Sequence, residues 1–256
     1  MAHGELARAV AEAGKHLYLE KPVAVSVEDG RRALDAAEAA GIVAAMGFNF
    51  RFLPLYRNAR RRLREGVIGR VVAVRTRFSE PVDAERMPAW KRRRDSGGGA
   101  LLDLGSHHID LLRWMLDDDL ARIESARVEL GRSEHDLATF SARTSGDVAV
   151  EAEFSYRGGR VCSWEIEGED GSLLLDRIGG SARQVAGRGR ASRGARAALM
   201  ARIRALPIPR REPTFGLALG AFAARLHRGT GELPSLGDGL RSLEVVHDVE
   251  SAAGVA

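Results

Sequence analysis

Two short apolar runs, HLYLEKP at residues 16–22 and IVAAMGF at residues 42–48, flank a segment with the marks of a helix. That segment, SVEDGRRALDAAEAAG, opens on Ser26, whose hydroxyl can cap the first amides, and closes on Gly41. Strand, helix and strand at this spacing form a βαβ unit, and such a crossover sets its two strands parallel in one sheet. Two parallel strands cannot bury both faces by themselves. Residues 1–50 therefore read as the last part of a larger doubly wound domain, with GELARAVAEAG, ended by Gly14, as a further helix.

The pattern changes after the turn NFRFLP. LYRNARRRLREG reads as a basic amphipathic helix stopped by Gly66, RVVAVRTRFSEP as a strand, and SGGGALLDLGSHHIDLLRWML as a glycine turn running into a helix. Between about residues 122 and 185 the runs IESARVELG, DLATFSARTS, DVAVEAEFSY, RVCSWEIEGE and GSLLLDRIG are separated by Gly, Asp and Ser turns. This succession predicts an antiparallel meander without helical crossovers. Residues 183–211 hold nine arginines among glycines and read as a solvated excursion from the sheet. TFGLALGAFAARLHRGTG and DGLRSLEVVHDVESAAG close the chain as helices, so residues 51–256 form an α+β unit.

Composition narrows the function classes. A 256-residue chain with 45% hydrophobic residues has ample material for a packed core. Its 39 basic side chains include only three lysines, Lys15, Lys21 and Lys91, and the acids are scattered throughout. That balance reflects arginine-rich coding more than a nucleic-acid surface, and no nucleic-acid partner is expected. The lone Cys162 excludes an internal disulfide and a cysteine-based metal cage, and reads as a buried structural thiol. No apolar run approaches the ~20 residues that span a bilayer, and no signal peptide opens the sequence; a soluble cytoplasmic protein without membrane contact is the expectation.

Chemistry concentrates in two places. Gly97, Gly98 and Gly99 are contiguous, which is the wrong spacing for a G-x-G-x-x-G phosphate cradle. On the helix behind them Asp103, His107, Asp110 and Trp114 share one stripe. Asp103 and His107 are four residues apart, so the carboxylate can reach and orient the imidazole, the side chain suited to proton exchange near neutral pH. A satisfied polar stripe would show the same spacing, and His108, one step round, reads as a packing or capping residue. A metal held by Asp103 and His107 would need at least one further ligand, for which His135 with Asp136 is the evident supply; these spacings match no metal signature, and no metal is expected. The second place is LYLEKP, where Lys21 ends a buried strand. Ligands sit at the carboxyl edge of parallel sheets, although a surface-loop lysine would look alike.

Together AGKHLYLEKPVA, GFNFRFLP, the stretch from Trp90 to Gly99, LLDLGSHHIDLLRWML and the terminal PSLGDGLRSLEVVHDVESA resemble the Gfo/Idh/MocA oxidoreductases, the family of glucose–fructose oxidoreductase and the inositol dehydrogenases. The resemblance implies the C-terminal remnant of a Rossmann domain followed by an α+β domain with a large, open-faced, mainly antiparallel sheet. It implies an NAD or NADP cofactor, a sugar, inositol or related polyol as substrate, and a homo-oligomer formed through the open sheet face. In its terms Lys21 lies beside the nicotinamide and the substrate hydroxyl, with Glu20 and Pro22 at the cofactor. His107 is the acid/base and Asp103 its acidic partner. Asn49, Arg51 and Trp90 line the pocket, with Asp110 beside them. The glycine run becomes the turn into the acid–base helix.

The sequence departs from the family pattern in one respect. No strand–G-x-G-x-x-G–helix segment occurs; GRGRASRG at residues 187–194 lacks the spacing and follows no clear strand. The expectation is an N-terminally truncated member that binds nicotinamide weakly unless another chain supplies the missing half. The alternative is a non-catalytic member that binds a sugar-like ligand or serves as an interaction subunit.

Overall fold

The computed structural model describes residues 3–83, 85–186 and 213–255. The N-terminal unit is built from α1 (His3–Glu12), β1 (Leu17–Leu19), α2 (Val27–Ala39) and β2 (Ala44–Met46). β1 and β2 pair in parallel, Leu17 opposite Ala44 and Leu19 opposite Met46, as the βαβ spacing requires. The local signals act where they were read. Ser26 accepts from the Asp29 amide at 3.1 Å, and Gly14 and Gly41 both take the left-handed conformation in which α1 and α2 end.

A 3₁₀ turn (Asn49–Phe52) leads into α3 (Pro54–Arg64) and β3 (Val71–Ser79). The short α4 (Ala89–Arg92) precedes the glycine run, and then come a π-helical turn (Leu101–Gly105) and α5 (Ser106–Leu116). Six strands follow: β4 (Leu120–Glu129), β5 (Leu137–Thr144), β6 (Ala149–Ser155), β7 (Val161–Gly168), β8 (Gly171–Asp176) and β9 (Ser181–Ala186). α6 (Thr214–Arg228) and α7 (Leu236–Ala252) complete the described chain.

Two expectations are corrected here. The sheet is mixed, in the order β4-β5-β6-β3-β7-β8-β9, and β3 lies between β6 and β7, parallel to the first and antiparallel to the second. The meander is thus interrupted: the alternation of a strand fixes which face it buries, not which neighbour it pairs with. The arginine-rich segment also begins inside the sheet. Ser181–Ala186 pairs antiparallel with β8, and Gln184 donates to the Val67 carbonyl, which pins the strand to the turn before β3. Residues 187–212, where the rest of that excursion falls, lie outside the described residues.

One face of the sheet is covered and the other is open. Ala138, Phe140, Ala142, Val150, Phe154, Cys162, Trp164, Ile166, Leu173 and Leu175 point into a single apolar core beneath α5 and the π turn. The opposite face carries exposed cross-strand pairs, Arg75 with Glu151 and Glu167, and Arg77 with Glu153. Each such pair contributes at most about 1 kcal/mol. α7 packs on α2, α5 and β4, while its capping residue Ser235 bridges to Ala45 and the Pro234 carbonyl accepts from the Met46 amide. The end of the chain thereby ties the parallel pair to the sheet unit and closes the space in which β1 ends.

Candidate active site

β1 delivers Lys21 just beyond its carboxyl end, next to a cis Lys21–Pro22 peptide. Across from it, the first turn after the glycine run is wider than an α-helix, and Asp103 lies at the middle of that π turn. Such turns recur at functional sites because they re-aim one side chain without ending the helix. Gly105 allows this turn to lie against the sheet; a Cβ there would come within 2.8 Å of the Phe154 ring.

Asp103 is 6% exposed, and both carboxylate oxygens are engaged. Lys21 donates to Oδ1 at 2.5 Å and to the Asp103 carbonyl at 2.7 Å. Lys91 donates to Oδ2 at 2.6 Å and the Tyr156 hydroxyl to the same atom at 2.9 Å. Burial alone would raise the pKa of this carboxyl, but the charges of Lys21 and Lys91 outweigh it and hold the group well below the usual carboxylate range. Burial and the Asp103 charge push Tyr156 far up, so it stays a neutral donor.

This arrangement differs from the expected helix pair. Asp103 accepts hydrogen bonds from Lys21, Lys91 and Tyr156, and the His107 Nδ1 is buried with no hydrogen-bond partner among the described residues. The carboxylate is diverted because the π turn re-aims it towards cations from two other elements. Phe50 stacks on the His107 ring at 4.3 Å between centroids, and Phe48 meets its edge at 6.3 Å. Burial, then the nearby Lys21 charge, drives the His107 pKa well down, leaving a neutral imidazole at physiological pH.

The remaining sequence-derived residues have other neighbours. Arg51 and Asp110 form a buried bidentate pair at 2.5 and 2.8 Å, with Asp238 3.1 Å from the same guanidinium. Asn49 donates to Thr214 Oγ1 at 3.0 Å, with its own Oδ1 buried and unpartnered. Trp90 is 41% exposed, its ring 5.2 Å from the Lys91 ammonium. Glu20 packs across Gly47, and the Pro22 carbonyl accepts from His3 at 2.8 Å. His108 packs between Phe78 and Trp164, with its ring nitrogens at Thr76 Oγ1 and Cys162 Sγ. Burial pushes that thiol up to about 11, as befits a structural cysteine. His135 and Asp136, which a metal reading would need, face Glu250 and Arg157 instead.

Sequence reasoning missed Lys91 and Tyr156. A signal for the first was present: of 39 basic side chains three are lysines, and two of those three meet on one carboxylate. Lysine offers a compact point charge that the planar arginine fork does not reproduce.

A family model described as an oxidoreductase family with an NAD-binding Rossmann fold matches residues 1–48, and the GFO/IDH/MocA C-terminal domain matches residues 56–174. The chain belongs to the Gfo/Idh/MocA family. Within it, 1,5-anhydro-D-fructose reductase of Ensifer adhaerens is 38% identical over 182 residues, 67% of this chain and 53% of that protein. Levoglucosan dehydrogenase of Pseudarthrobacter phenanthrenivorans is 34% identical over 119 residues, 45% of this chain and 30% of the relative. The chain thus spans about half the length, or less, of these curated relatives. A solved levoglucosan dehydrogenase, in complex with NADH and levoglucosan, superposes with a TM-score of 0.83 at 23% identity, covering 99% of this chain and 76% of that one, which establishes the shared fold.

The nicotinamide dinucleotide that the family description names can be tested against these residues. At the reacting end they fit: an ammonium stands past a parallel strand, and beside it is a buried ring nitrogen with no partner among the described residues. For the pyrophosphate, the 256 residues contain no G-x-G-x-x-G turn.

Proposed function

We propose that this Gfo/Idh/MocA chain carries the acid–base half of a nicotinamide-dependent oxidoreductase that acts on a secondary hydroxyl, or the corresponding ketone, of a sugar or polyol. The observation that carries the reading is the pairing of an unpartnered neutral imidazole at His107 with a fixed ammonium at Lys21. When bound, the nicotinamide supplies the hydride acceptor or donor. The neutral imidazole of His107 can take the hydroxyl proton, and in the reverse direction return it. Lys21, anchored at two Asp103 oxygens, places its positive charge where the oxygen becomes anionic. Phe50 covers one face of the imidazole and keeps water from it. Lys21 also serves the cofactor, together with Glu20 and Pro22, and Trp90 offers an exposed aromatic face to a sugar ring.

The test has two steps. NADH and NADPH binding is measured by calorimetry on this chain and on the version encoded with its upstream DNA, and whichever binds is screened for turnover on inositols, anhydrosugars and aldoses. Lys21→Ala and His107→Ala should each lower kcat by about 10²-fold or more while the nucleotide still binds. Nucleotide binding without turnover on any polyol, or unchanged kcat in both variants, would refute the reading.

A further inference from the structure

Asp103 stands four residues before His107, the spacing at which a helical carboxylate ordinarily orients and charges an imidazole. It does not do so here. Oδ2, the oxygen left over after Lys21 has taken Oδ1 and the carbonyl, is occupied by Lys91 from the end of α4 and by Tyr156 from the end of β6. The Lys91 ammonium is itself held, 5.1 Å from the Tyr156 ring centroid and 5.2 Å from that of Trp90. Behind it the loop is fastened: Arg94 pairs with Glu250 on α7 and donates to the Val25 carbonyl just after the Lys21–Pro22 step. Behind Tyr156, its own amide donates to the Asp136 carbonyl. The groups facing Asp103 are therefore Lys21 from β1, Lys91 from the α4 loop and Tyr156 from the sheet, with Asp136 beyond Tyr156 and His107 next along the helix.

We propose that Lys91 and Tyr156 are positioning residues that hold Asp103 on Lys21 and away from His107, so that the carboxylate serves the ammonium and does not pair with the imidazole. Neither touches the reacting atoms in this scheme; each acts through Asp103. Two cations on one carboxylate oppose the field that Asp103 exerts on His107. Without Lys91, Oδ2 has one donor fewer, Asp103 has one counter-charge in place of two, and its attraction for an imidazolium four residues on is restored. This inference rests on the acid–base reading above, but its test needs neither cofactor nor turnover.

The experiment is an NMR titration of the histidine ring signals in the full chain, wild type against Lys91→Met, Lys91→Arg and Tyr156→Phe, with His107→Gln to assign the signal. In the wild type His107 should stay neutral well below the ordinary histidine midpoint. In Lys91→Met its midpoint should rise by about one pH unit or more, in Tyr156→Phe by less in the same direction, and in Lys91→Arg it should stay near the wild-type value. His108, buried in the core with a pKa brought down to about 3, reports folding: its signal should remain silent through the neutral range in every variant. Should Lys91→Met fail to fold by that criterion, Tyr156→Phe carries the test. An unmoved His107 midpoint in folded Lys91→Met and Tyr156→Phe would overturn the proposal and leave both residues as packing. A flat titration would not affect the turnover reading, and a chain that turned nothing over could still show the shift.

Discussion

Replacing Gly98 by alanine should disable the site without touching any of its side chains. A Cβ on Gly98 would fall well inside van der Waals contact distance of the Trp90 carbonyl oxygen and 2.6 Å from the carbonyl carbon and oxygen of Lys91. All of these are backbone atoms, so no rotamer change relieves the clash. Gly98 and Gly99 are also tied to this loop, their amides donating hydrogen bonds to the Arg93 and Lys91 carbonyls at 2.9 and 3.0 Å. The strand of loop carrying Trp90 and Lys91 must therefore move outward by roughly the missing ångström, and the 2.6 Å bond from Lys91 to Asp103 goes with it. Overpacking of this kind costs about 1–3 kcal/mol, and a lost hydrogen bond to a charged group about 1.5–3 kcal/mol. Together that is roughly 2.5–6 kcal/mol, or a melting temperature lower by about 5–24 °C for a chain of this size. Circular-dichroism melts and urea titrations of Gly98→Ala read it directly. Gly216→Ala is the control: a Cβ there meets nothing within 4 Å inside α6, so that variant should be neutral or gain up to about 1 kcal/mol. A Gly98→Ala protein within about 0.5 kcal/mol of wild type, with His107 titrating as before, would refute the steric argument and the coupling of the glycine run to Asp103.

The buried Arg51–Asp110 pair makes a second test. Arg51→Met leaves a 1% exposed carboxylate without its bidentate partner and should cost about 3–5 kcal/mol in urea unfolding, whereas Arg51→Met with Asp110→Leu should recover most of it; equal losses in both would remove the pair from the account. A third concerns acid stability. Burial, reinforced by the Arg177 charge, brings His108 down to about 3, so between about 6.5 and 3 the unfolded chain binds a proton that the native chain does not. Its contribution to stability is complete above about 6.5 and is lost as pH falls through that window, at about 1.4 kcal/mol per pH unit. His108→Gln should flatten the stability–pH curve by that slope between pH 6 and 4, and an unchanged slope would mean that His108 is not the group that titrates.

What the sequence disclosed, it disclosed through short-range signals. Ser26 and Gly41 bound α2, Pro54 opens α3 and Gly66 closes it, and each acts within one turn of its own position. The place of β3 between β6 and β7 has no such signal, since its partners lie more than seventy residues downstream and either edge would satisfy its alternation. β9 was concealed for another reason. Ser181–Ala186 shares its composition with the arginine-rich stretch after it, and what makes it a strand is tertiary: the β8 ladder and the bond from Gln184 to Val67.

The site divides along the same line. Lys21, Asp103 and His107 were legible because each stands in a compact motif, but the way they connect was not. Helical spacing supplied one partner for Asp103, and the fold supplied three others, from 82 and 12 residues upstream and 53 downstream. Asp103 accepts from two ammoniums and a phenol, and these charge-assisted bonds are stronger than one from a neutral imidazole four residues away. The i to i+4 rule describes what an isolated helix does; at Asp103 a π turn and two converging loops offer better donors, and the rule yields. The same substitution of partners makes Asp103 the point where β1, the α4 loop, the π turn and the end of β6 are joined, so the group that sets the charge of the site also holds its walls together. The residue that anchors Lys21 also joins these elements, so substitutions at Gly98 or Lys91, which reach His107 only through Asp103, are expected to be felt there.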